Sequence, residues 1–273
     1  MSASKSNKEL AFLHDLYVAT DWGERFALLM DEHIKLPKKG RILYAAVGTG
    51  DHALSLLKRA GQDVTLVGTD ESAENLELAK AKAAALKTNA EFHVAQLEAL
   101  DFEDDGFELV VCNASLTAPE RLPEVLAEAV RVAAPGASVA LCSVTAASFG
   151  EFFSIYWEAL SDTKYTEHLS AVETFITERP VISALEESAA REGLDAVQTW
   201  TSVEEFIYES GEAFLNAPLI NDFLLRDWLD ILPDEEARRK VSQEIARLID
   251  EERHDADFVL SIKATLLIGR KAE

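Results

Sequence analysis

Between residues 41 and 143, short apolar runs alternate with longer segments whose apolar positions recur at helical spacing. Segments 41–46, 63–69, 91–95, 107–113 and 137–143 read as strands, and 72–86 and 120–133 as helices. A further helix follows Gly50, where Ala53, Leu54, Leu56 and Leu57 share a face. Such alternation implies crossover units and a parallel, doubly wound sheet, with the loops that follow the strands gathered along one edge. Ahead of the first strand, Leu10, Leu13, Leu16 and Tyr17, then Phe26, Leu29 and Met30, predict two helices parted near Asp21-Trp22-Gly23.

After residue 143 the pattern becomes mainly helical, over 149–160, 169–175, 181–192, 219–232 and 238–253. Only 196–200 and 258–268 look like strands there. The expected organisation is therefore N-terminal helices over 1–39 and a cofactor-binding core over 40–143. A helical lid insertion over 144–257 follows, containing one sheet strand near 196–200, and a C-terminal strand over 258–273 completes the sheet.

Composition narrows the chemistry. Of 273 residues, 49 are Asp or Glu and 26 Lys or Arg, a formal charge of −23. Such a surface repels phosphate backbones, so nucleic acid and anionic membranes are excluded as expected partners and a small molecule is favoured. Cys112 and Cys142 lie in apolar runs and read as buried free thiols. No apolar run approaches a membrane span, and a cytoplasmic protein is expected. His14, His33, His168 and His254 show no metal-ligand spacing, and no metal site is expected.

The informative stretch is Ile42-Leu43-Tyr44-Ala45-Ala46-Val47-Gly48-Thr49-Gly50. A glycine turn between a strand and a helix lets a ligand approach the backbone and offers it amide donors. Asp70 ends the second strand 20 residues after Gly50, where a carboxylate can accept from ribose hydroxyls. A nicotinamide site is the rival reading of this pair, with Ala53 at the third glycine position. Gln96-Leu97 follows the third strand.

These segments, with 107–111 and 131–136, resemble the class I S-adenosylmethionine-dependent methyltransferases. The resemblance implies a Rossmann-like, mostly parallel seven-stranded sheet and S-adenosylmethionine as cofactor. By the same resemblance, Gly48 and Gly50 line the methionine part, Asp70 holds the ribose, and Gln96 and Leu97 meet the adenine. Asn113 then lies beside the transferable methyl. Four positions depart from the pattern: Tyr44 stands where the family has an acid, Ala46 where it has glycine, Glu71 where an apolar residue is common, and Gln96 where the family often has an Asp. These departures support the alternative of a non-catalytic binding protein that kept the fold.

His52, just past the turn, is the candidate general base, while Asp51 beside it is equally explained by the helix dipole. Phe149, Phe152, Phe153 and Tyr156 are candidates for an acceptor pocket, although aromatics at helical spacing are more often core. Tyr17 and Trp22 are placed to cap the cofactor from the N-terminal helices. The sequence leaves the acceptor and the oligomeric state open.

Overall fold

The computed structural model describes residues 5–253 and 257–273, so His254 and the first four residues of the 1–39 segment lie outside the described residues. Helix α1 (Asn7–Leu13) opens with a capping box, in which Ser6 and Glu9 bond each other's backbone. The break expected near Asp21 does not occur. The chain instead continues helically through a π-helical segment, His14–Gly23, into α2 (Glu24–His33). Gly23 is accommodated without leaving the helix, at φ −62°.

Then come β1 (Lys39–Ala45), α3 (Asp51–Arg59), β2 (Asp63–Asp70), α4 (Ala73–Leu86), β3 (Ala90–Val94) and β4 (Phe107–Asn113). Next are α5 (Leu122–Val132), β5 (Ala133–Val144), α6 (Gly150–Asp162), α7 (Leu169–Thr177), α8 (Ile182–Arg191) and β6 (Leu194–Tyr208). Helices α9 (Gly211–Asn216), α10 (Leu225–Leu229) and α11 (Glu235–Arg253) precede β7 (Phe258–Lys271). The helix expected over 219–232 is a short π-helical turn, Ile220–Leu224, followed by α10.

The strands form one seven-stranded sheet in the order β3-β2-β1-β4-β5-β7-β6, and β1 to β5 pair in parallel. The order reverses between β1 and β4, the switch point beside which open sheets bind ligands. Strand β5 begins earlier than expected, because Ala134-Pro135-Gly136 is a register shift within the strand and not a turn before it. A bulge tolerates Pro135, and Gly136 at φ +74° supplies the left-handed residue.

The chain divides into two compact units. The first comprises Met1–Ser143, Val181–Ser202 and Ala264–Glu273, so α8 and the first half of β6 belong with the sheet core. Period-two alternation in β1 sends Leu43 and Ala45 into a core shared with α5 and α8. Tyr44 lies on the opposite face and reaches Met30 of α2 and His52 of α3. The second unit comprises Val144–Pro180 and Val203–Lys263. Its core is an aromatic cluster in which Phe149, Phe152 and Phe153 surround the Trp228 ring at 4.6–5.3 Å. Tyr156 donates its hydroxyl hydrogen to the Trp228 carbonyl at 3.0 Å.

Two positions of the β1–α3 loop are under opposite stereochemical pressure. Gly50 has φ +89°, and a Cβ there would stand 2.9 Å from the Ala79 Cβ of α4. Gly50→Val should therefore cost about 2–4 kcal/mol of stability through overpacking and left-handed strain, seen as a lowered denaturation midpoint without ligand. Ala46 holds φ +53° although it carries a Cβ. Ala46→Gly should raise stability by about 0.5–1 kcal/mol, because relieving the strain outweighs the added freedom of the unfolded chain. Thermal melts of the two variants against the parent check both signs.

Candidate active site

The loop after β1 is shaped by β2. Val47 N–H donates to the Thr69 carbonyl at 2.8 Å, and Gly48 N–H donates to Asp70 Oδ2 at 2.8 Å. The other Asp70 oxygen accepts from Ser72 N–H at 2.9 Å and from the Asn75 amide at 3.2 Å. One carboxylate thus joins the glycine loop, the end of β2 and the N-terminus of α4. Ser72 caps that helix by accepting from Asn75 N–H.

Above this loop, within the first unit, lies a cavity of about 540 Å³. The loop 46–50, Asp70 and Glu71 form its floor, with Leu97 and Asn113 beside them and the π-helical segment as a further wall. His14 of that segment sits against Gly48, where a Cβ would stand 2.7 Å from the imidazole Cε1. Burial pushes His14 below the usual histidine range, against the opposing pull of Asp70, Asp15 and Asp51. Lys82 of α4 bonds both Asp15 and Asp51, which ties the π-helical segment to the start of α3. Trp22 is buried and donates its indole N–H to Ser115 Oγ at 3.0 Å.

Charge in this cavity is mainly negative. Asp31, Asp51, Asp70, Glu24 and Glu71 line it, and Arg121 is the lining side chain of opposite sign. Arg121 is engaged by Glu71 and Glu98, and both contacts hold its guanidinium firmly protonated. Among buried atoms, Asn113 Oδ1 lacks a hydrogen-bond partner, an acceptor left over for whatever enters beside it.

A second chain of polar groups starts at Tyr44. Its hydroxyl is 2.8 Å from His52 Nδ1, and His52 Nε2 is 2.8 Å from Asp31 Oδ1, which Arg59 also engages. Burial pushes His52 below the usual histidine range, with Asp31 pulling the other way and Arg59 reinforcing the shift. The imidazole is therefore neutral near pH 7, and both of its nitrogens are occupied.

Of the residues expected from sequence, Tyr44, Ala46, Gly48, Gly50, His52, Asp70, Glu71, Leu97, Asn113 and Trp22 all line this cavity. Gln96 does not: its residue is exposed, and its backbone instead closes a small turn with Ala99. Tyr17 is 47% exposed and absent from the lining, because the π-helical segment turns Val18 and Trp22 inward in its place. Phe149, Phe152, Phe153 and Tyr156 are buried in the core of the second unit and line no part of this cavity. Gly50 meets the cavity through its backbone, while its missing side chain makes room for α4. Asp31, Ser115 and Arg121 were not expected. Each belongs to the site through tertiary contact alone, without a local motif.

Residues 42–136 match the family model described as a methyltransferase domain. The chain is 34% identical over 134 residues to the ubiquinone/menaquinone biosynthesis C-methyltransferase UbiE of Geotalea daltonii, a match covering 48% of this chain and 56% of that protein. The chain thus spans little more than half the length of that relative. Its fold is similar to that of the YcgJ protein from Bacillus subtilis, at TM-score 0.60 and 17% identity, over 92% of this chain and 99% of that one. It is also similar to the Haemonchus contortus phosphoethanolamine N-methyltransferase 2 solved with S-adenosyl-L-methionine, at TM-score 0.54 and 16% identity, over 92% of this chain and 53% of that one. Residues 42–136 are thus similar to a methyltransferase domain, and the chain as a whole shares its seven-stranded fold with these solved structures.

Proposed function

We propose that the protein transfers a methyl group from S-adenosylmethionine to a small-molecule acceptor. The observation that carries this reading is the Asp70 carboxylate, bonded to Gly48 N–H in the floor of a cavity at the sheet's switch point. The residues present fit the cofactor. A carboxylate can accept about four hydrogen bonds, so beyond Gly48, Ser72 and Asn75 the Asp70 carboxylate keeps about one acceptor position for a ribose hydroxyl. Leu97 offers an apolar wall for the adenine, Asn113 Oδ1 is a buried acceptor without a partner, and the acidic lining suits a cationic ligand.

When bound, S-adenosylmethionine would supply an electrophilic methyl group on a sulfonium. What the protein adds is alignment, exclusion of water and management of a proton. Trp22, Val18 and Leu28 give the cavity an apolar side that suits an acceptor with an apolar body. The relative named for ubiquinone and menaquinone methylation supports the same class of acceptor. The net charge of −23 argues against nucleic acid. Among the described residues no helix is long and apolar enough to cross a membrane.

Binding is tested by thermal shift and calorimetry with S-adenosylmethionine and S-adenosylhomocysteine. Ligand at 100 times its dissociation constant should stabilise the native state by about 2.7 kcal/mol. No shift with either ligand at millimolar concentration would sink the reading. Asp70→Ala should weaken binding by about 1.5–3 kcal/mol, roughly ten- to a hundred-fold. Because Asp70 also anchors Ser72 and Asn75, the melting temperature of the unliganded variant separates lost affinity from a loosened loop. Ligand binding without methyl transfer to any member of a broad acceptor panel would favour the non-catalytic alternative.

A further inference from the structure

The polar chain behind Tyr44 has a direction. Asp31 can only accept, so His52 Nε2 carries the hydrogen of that 2.8 Å contact and Nδ1 is the lone-pair nitrogen. Tyr44 must then donate its hydroxyl hydrogen to Nδ1, across the second 2.8 Å contact. The Tyr44 oxygen is thereby left to accept, from the Asn113 side chain on one lone pair and from a further donor on the other, and Tyr44 lines the cavity. A phenol free to rotate would show no such preference.

We propose that Tyr44, His52 and Asp31 form a proton relay that deprotonates the methyl acceptor, with Tyr44 as the group that touches it and His52 and Asp31 as positioning residues. The inference rests on the methyl-transfer reading, since it is the acceptor of that reaction whose proton is removed. The acceptor's hydroxyl proton passes to Tyr44 Oη while Tyr44's own proton passes to His52 Nδ1. The acceptor keeps the electron pair of its broken O–H bond, and Tyr44 ends as it began. His52 becomes an imidazolium whose Nε2–H is held by the Asp31 carboxylate, the arrangement that makes a histidine–aspartate pair effective behind a hydroxyl.

The surroundings favour this exchange over a standing phenolate. Burial raises the Tyr44 phenol well above its ordinary range, assisted by Cys142, Asp31 and Cys112, while the Asn113 side chain works against the shift. Met30 packs on the hydroxyl at 3.9 Å. Burial and Arg59 keep His52 neutral at rest, and so ready to receive a proton. Tyr44 therefore works only by receiving one proton as it gives up another. Because the proton ends on an imidazole that burial makes a weaker base, the relay suits an acceptor hydroxyl more acidic than an alcohol, of phenolic or enolic type.

The test needs no turnover. The probe is 4-nitrophenol, whose anion alone absorbs visible light, added to protein saturated with sinefungin, a stable cationic analogue of S-adenosylmethionine. At a pH about one unit below the probe's own pKa, roughly a tenth of free probe is ionised. The bound probe should be ionised roughly five-fold more, because its proton has moved onto His52. Tyr44→Phe and His52→Gln should return the bound probe to the free value, and Asp31→Asn should fall between, with melting temperatures reporting the fold of each. Nitrogen-15 spectra of labelled histidine should show the Nε2–H form of His52 in the parent and its loss in Asp31→Asn. A probe that fails to bind, binds without added ionisation, or stays ionised in Tyr44→Phe would overturn the relay while leaving methyl transfer intact. If neither S-adenosylmethionine nor sinefungin binds, the methyl-transfer reading fails and the relay fails with it.

Discussion

The carboxylate of Asp70 is the constraint on which the site is built. A glycine loop with Ala46 at φ +53°, Gly48 at φ +55° and Gly50 at φ +89° has little conformational preference of its own. It is held because one anion at the end of β2 accepts from Gly48 N–H on one side and from Ser72 N–H and Asn75 on the other. Hydrogen bonds to a charged acceptor are worth roughly twice their neutral counterparts. The cavity floor, the start of α4 and the last residue of β2 therefore move together or not at all. The His14 imidazole against Gly48 and the Lys82 contacts to Asp15 and Asp51 extend that rigidity to the π-helical wall.

Around this anchor the acidic groups are distributed unevenly. Asp51, Asp70 and Glu71 stand at the cavity's loop edge, and Arg121 answers Glu71 together with Glu98. At the end of β1 the chain carries a neutral phenol in a position that is 2% exposed. A carboxylate so deeply placed must be paired or pay a desolvation cost of several kcal/mol. Tyr44 avoids that cost by connecting instead to a histidine–aspartate pair nearer the surface, where Arg59 balances the charge of Asp31.

Much of the sheet core was legible in the sequence because its signals are local. Strand β4 was expected at its observed limits, and Asp70 and the glycine loop were recognised from spacing along the chain. What escaped depends on contacts between distant segments. Asp31 gives no sign in α2 that its carboxylate serves a histidine 21 residues later. Trp22 was expected at the site and Tyr17 with it, yet a π-helical segment advances side chains around its axis differently from an α-helix, and only Trp22 faces inward. The run Phe149, Phe152, Phe153 and Tyr156 illustrates a further limit. Helical spacing of aromatics reports that one face is buried but not what it is buried against, and here the partners are Trp228 and Phe214 of the second unit's own core.

The contact between Gly50 and Ala79 bears on how this domain can vary. With the two positions so close, a larger residue at either fills the space the other relies on, so their substitutions cannot be independent. Neighbours of this kind carry interaction energies of about 0.5–3 kcal/mol in double-mutant cycles. A side chain tolerated at position 79 in one background would be rejected in another, depending solely on position 50. Helix α4, which contributes no residue to the cavity lining, is by this contact part of the loop's covariation unit, and its seat against the loop limits the ways in which the cofactor floor can drift.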